Sequence, residues 1–105
     1  MNEGERVRFE IEFNPDALDH LEALPARARA IILDAIEAQL AREPLRETRN
    51  RKLLRPNLLA PWELRVAKWR VFYDVQTELS PVVNIVAVGE KRGNEIWIGG
   101  ERIVL

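Results

Sequence analysis

The chain has 105 residues, 47% hydrophobic and 31% charged, enough apolar content for one compact domain over residues 1–105 and too mixed for a disordered segment. No apolar run approaches the roughly 20 residues of a membrane helix, and the acidic, polar start MNEGERVRFE is unlike a secretory leader. With no cysteine and one histidine, His20, disulfides, thiolate chemistry and multi-histidine zinc sites are excluded, so the expectation is a cytoplasmic domain without a metal or cofactor.

From Arg6 to Phe13 the sequence alternates strictly. Val7, Phe9, Ile11 and Phe13 fall on one side and Arg8, Glu10 and Glu12 on the other, which predicts a half-buried strand. Asn14-Pro15 opens a short helix, an N-cap residue followed by proline at the first helical position. Leu18, Leu21 and Leu24 carry that helix to about Leu24, where Pro25 stops it and opens a second. Ala28, Ile31, Ile32, Ala35, Ile36, Gln39 and Leu40 recur at intervals of three and four, giving one apolar stripe that ends before Glu43-Pro44. Two helices joined with almost no loop predict an antiparallel helical hairpin.

Strands follow a basic connector. Lys52-Leu53-Leu54 reads as a short strand, then Trp62, Leu64 and Val66 alternate with Glu63 and Arg65. After a turn at Ala67-Lys68, Trp69, Val71, Tyr73 and Val75 share one face while Arg70, Phe72 and Asp74 share the other. Val82 to Val88 is nearly all apolar and predicts a central strand covered on both sides. The glycine pair Gly99-Gly100 predicts a closing hairpin of Glu95–Ile98 and Glu101–Leu105. The fold class is therefore α+β: an N-terminal strand, two helices, then an antiparallel meander ending in a hairpin.

Charge is distributed unevenly within a net −1: residues 1–25 hold seven acids and two bases, residues 26–60 eight bases and four acids. Arg42, Arg46, Arg49, Arg51, Lys52 and Arg55 crowd the connector. They suit a polyanion, an acidic segment of a partner, or an acidic patch on the same molecule. With Ala67-Lys68 as the loop, Arg65 stands opposite Arg70, and like charges directly opposed destabilise a sheet. Something anionic must lie between them: a phosphate, a partner carboxylate, or locally Glu63 or Asp74. His20 sits among acidic neighbours as an ordinary surface residue. Tyr73 packs in the core with its hydroxyl at the rim, and Trp97 either packs in the hairpin or offers a base a stacking surface.

The run PWELRVAKWRVFYDV, with the preceding strand and helix pair, the basic R-K-L segment and the later I-V-A-V-G-E-K-R, resembles the RelE/ParE toxin superfamily across nearly the whole chain. The resemblance implies a RelE-like two-layer fold and the toxin of a type II toxin–antitoxin operon, neutralised by a cognate antitoxin. Members act either as metal-independent nucleases on messenger RNA at the ribosome or as inhibitors of DNA gyrase. In the first case Arg65, Arg70 and Lys91 would stabilise phosphate charge. Arg46, Arg49, Arg51, Lys52, Arg55, Arg92 and Trp97 would hold the nucleic acid. The sequence departs from the nuclease pattern where two lysines are replaced by Pro61 and Glu63 and where the C-terminal tyrosine falls on Trp97. Indole cannot shuttle a proton at neutral pH. A non-enzymatic binding module, either gyrase-directed or an inactive antitoxin partner, is the alternative.

Overall fold

A computed structural model describes residues 7–105. Its elements run β1 (Glu10–Phe13), α1 (Pro15–Glu22), α2 (Ala26–Leu40), β2 (Arg51–Leu53), β3 (Trp62–Val66), β4 (Trp69–Gln76), β5 (Val82–Arg92), β6 (Glu95–Ile98) and β7 (Glu101–Ile103). They form the α+β fold expected from the sequence. The sheet has the order β2-β3-β4-β5-β6-β7, with β1 beside β5.

The first strand is shorter than its alternation suggests. Arg6 lies outside the described residues, and Phe9 donates its N–H to the Ala41 carbonyl at 2.7 Å, bonding to the end of α2 instead of a strand. Val7, expected on the core side, is 39% exposed. From Glu10 onward β1 pairs with β5 in parallel, Glu10 opposite Val82 and Phe13 opposite Ile85. Asn14 takes the N-cap position through its backbone, its carbonyl accepting the Leu18 N–H at 3.1 Å, while its side chain makes no cap bond. In α2 the buried seam is Ala28, Ile32, Ile36 and Leu40, four residues apart, which leaves Ile31 outside it.

One face of the sheet is closed by the helices. Ala17, Leu21, Ile32, Ile36 and Leu40 pack on Leu64, Val66, Val71, Tyr73, Val83, Ile85 and Val88. Trp62 stacks on Tyr73, centroids 5.9 Å apart, and the Tyr73 hydroxyl donates to the Pro44 carbonyl at 2.7 Å inside the core instead of reaching the rim. The opposite face carries a smaller cluster of Ala60, Phe72, Ala87 and Ile98. Phe72, on the same side as Arg70 and Asp74 by alternation, is fully buried there. Its cover comes from residues without periodicity: Leu54 and Leu59 in the loop after β2, and Ile96 and Ile103 from the terminal hairpin. Asn57 shapes that loop, its Oδ1 accepting the N–H groups of Leu59 and Ala60 at 2.7 and 3.0 Å.

Strand β5 continues past Val88 to Arg92, and its last three residues pair with β6. Gly89 allows this. A Cβ there would sit 2.6 Å from the Trp97 carbonyl oxygen and 2.7 Å from Ile98 Cγ1, closer than any side chain can be accommodated.

Candidate functional site

The β3–β4 register is Trp62↔Tyr73, Glu63↔Phe72, Leu64↔Val71, Arg65↔Arg70 and Val66↔Trp69. Alternation therefore puts Glu63, Arg65 and Arg70 together on the face away from the helices. Lys52, opposite Glu63 on β2, joins them, as does Lys91, whose strand neighbours Glu90 and Arg92 point the other way. The four cations Lys52, Arg65, Arg70 and Lys91 thus share this face with Glu63, and by the same alternation with Asp74, Glu12 and Glu101 elsewhere on it.

Their states differ. Arg65 is exposed, but Arg70 is only 8% exposed and Glu63 7%. Glu63 Oε2 lies 3.3 Å from Arg65 Nε and 3.9 Å from Arg70 Nε, so the local carboxylate is the anion between the two guanidinium groups. Arg70 also donates through Nη1 to the carbonyls of Ala67 and Trp69, both at 2.8 Å, clamping the turn. That turn needs a clamp: Ala67 has φ +54°, a left-handed conformation unfavourable for a residue with a Cβ. Burial lowers the Arg70 pKa from its ordinary value, opposed by Glu63 and reinforced by Arg65.

The basic connector does not gather into one surface. Arg46, Arg49 and Arg55 are exposed, with Arg46 paired to Glu43 at 3.4 Å. Arg51, expected among the nucleic-acid contacts, is buried. Its Nη1 donates to the Gln39 carbonyl at 2.7 Å and to Gln39 Oε1 at 3.0 Å, and its Nε to the Arg46 carbonyl at 2.9 Å, tying β2 to the end of α2. The local sequence, basic throughout, gives no signal that this arginine differs from its neighbours.

Arg92 and Trp97 lie on the helix side. Trp69, Glu90 and Trp97 form one cross-strand row. Glu90 holds Lys68 and Arg92, each at 3.1 Å. These two cations sit over Trp69 and Trp97, 4.8 and 4.9 Å from the ring centroids. Hydrogen bonding from Lys68, and after it from Arg92, holds the Glu90 carboxyl below its ordinary pKa. Trp97 is half-buried and donates to Glu95 Oε1 at 3.3 Å. A third feature, an apolar groove beside α1 and α2, is lined by Phe13, Leu18, Leu21 and Leu33 with Asp19, Glu22 and Arg29 around it. Among the described residues no three His, Cys, Asp or Glu side chains are grouped to hold a metal ion, and no helix is long and apolar enough to cross a membrane.

A strand, two helices and a meander make the architecture expected of the RelE-like fold. The solved toxin–antitoxin complex RelBE2 from Mycobacterium tuberculosis contains a chain similar to this one, at a TM-score of 0.69 and 29% identity, covering 81% of this chain and 93% of that one. Residues 11–95 match the family described as the ParE toxin of the type II toxin–antitoxin system parDE, and the chain belongs to that family. It is a toxin component of a type II toxin–antitoxin system. Comparison with curated proteins gave no sequence match.

Proposed function

We propose that this toxin acts by binding a protein target, DNA gyrase being the one the family resemblance suggests, and that it does not cut RNA. The observation that carries this reading is Glu63. Its carboxylate occupies the space between Arg65 and Arg70 that a scissile phosphate would need, and Arg70 is further committed to two turn carbonyls. A nuclease site must present uncommitted cations to the phosphate and groups that move a proton at the 2′-hydroxyl and the leaving oxygen. The antitoxin, in this reading, lays an apolar helix face into the groove of Phe13, Leu18, Leu21 and Leu33.

The second reading, RNA cleavage, draws on Lys52, Arg65 and Lys91 sharing one face. Induction of the toxin without its antitoxin separates the two. Growth arrest with intact messenger RNA and loss of gyrase supercoiling activity is the expected result. New RNA ends that vanish in Arg65→Ala would establish the nuclease instead.

A further inference from the structure

Strand β5 changes neighbours along one edge. It pairs with β1 as far as Ile85 and meets β6 from Gly89 onward, so residues 86–88 have no paired strand there. A backbone N–H in such a gap needs an acceptor, and Val88 is only 3% exposed. The acceptor comes from another element: the Val88 N–H donates to Nδ1 of His20 on α1, 3.2 Å away. An imidazole that accepts at Nδ1 is neutral and carries its proton on Nε2. The far edge of the ring meets the β6–β7 turn, where a Cβ on Gly99 would lie 3.6 Å from both Cδ2 and Nε2. The ring is thus wedged between α1, β5 and the terminal hairpin, in the wall of a cavity of about 300 Å³ that Trp69 and Trp97 also line.

We propose that His20 is a positioning residue: its neutral ring stands in for the missing strand at Val88 and seats the β6–β7 hairpin, and protonation releases that hairpin. A proton on Nδ1 turns the acceptor into a donor facing the Val88 donor, and the bond is lost. The charged groups facing the ring are Asp19 from its own helix and Glu90 and Arg92 from β5. Ala23, Leu24, Trp69, Trp97, Gly99 and Gly100 complete the surroundings and do not ionise there. Glu90 is already held by Lys68 and Arg92. Any partner that grips the hairpin loses its footing in acid.

The experiment is amide hydrogen exchange by NMR on the full chain at about pH 7.5 and about pH 5, expressed as protection factors. It reads the fold directly, so its result is independent of whether the target is gyrase or RNA. In the parent chain, protection at Val88, Trp97 and Ile98 is expected to fall about tenfold or more on acidification. His20→Asn places Oδ1 where Nδ1 stood and cannot titrate, so its protection should change by less than about twofold. His20→Leu should lack protection at Val88 at both pH values. A parent chain whose protection is the same at both pH values overturns the proposal, as does a His20→Asn variant that falls as far as the parent. Should His20→Leu fail to fold, the parent and His20→Asn chains decide the matter between them.

Discussion

The two faces of the sheet solve the same problem by different means. Under the helices, apolar side chains at regular spacing meet an apolar sheet, and the deepest polar atom, the Tyr73 hydroxyl, is paired with the Pro44 carbonyl. On the rear face an irregular loop and a terminal hairpin cover only Phe72 and its neighbours, and the rest is ionic. Burial there is secured by charge satisfied within the chain: Glu63 between two arginines, and Arg70 on its own turn. The lesson is that a cluster of arginines is not by itself an open anion site. What matters is how many donors remain after the protein has satisfied itself.

Three changes sharpen or break this contrast. The largest effect is expected from Arg70→Met, which keeps much of the packing but removes two charge-assisted bonds to the turn and one partner of Glu63. Chemical denaturation should show a loss of about 1.5–3 kcal/mol. A loss within about 0.5 kcal/mol would mean that Arg70 is not a structural clamp and is available for a ligand.

On the other face, Tyr73→Phe leaves the Pro44 carbonyl unpaired in the core and should cost about 1–3 kcal/mol. It also removes an alkaline dependence. Burial pushes the Tyr73 phenol well above its ordinary value of 10.0, with the positive Arg51 opposing. Below about pH 10 the phenol is neutral in the folded and unfolded chains alike. Above it only the unfolded chain ionises, so stability falls as pH rises toward the folded value, and Tyr73→Phe should flatten that decline. As Tyr73 is the chain's one tyrosine, tyrosinate absorbance reports it alone and should appear with unfolding rather than before it.

The smallest effect is a gain. Ala67→Gly relieves the positive φ at the turn and should raise stability by up to about 1 kcal/mol in the same denaturation measurement, with Arg65 and Arg70 left in register.

Much of this was legible in the sequence, and the limits have physical reasons. The β3–β4 hairpin was readable to the residue because strict alternation and a two-residue turn leave one register, and that register alone placed Arg65 against Arg70. Both helices and the terminal hairpin announced themselves through spacing, proline and glycine. The apolar pattern of strand β5 runs only from Val82 to Val88, and Gly89, Glu90, Lys91 and Arg92 add no apolar residue to it. They extend the strand because Gly89 makes room for β6. Burial of Phe72 depends on an aperiodic loop, and burial of Arg51 on carbonyls from α2 and the connector. Neither leaves a trace in local pattern. His20 looked like a surface residue among acids, since nothing nearby in sequence reveals a partner at Val88.

The parallel pairing of β1 with β5 has a consequence for synthesis. Glu10 to Phe13 find their partners only at Val82 to Ile85, roughly seventy residues later in the chain. At ribosomal speeds that interval lasts roughly 4–14 s, during which the first strand has no place to dock. The poison is therefore unassembled for most of its own translation.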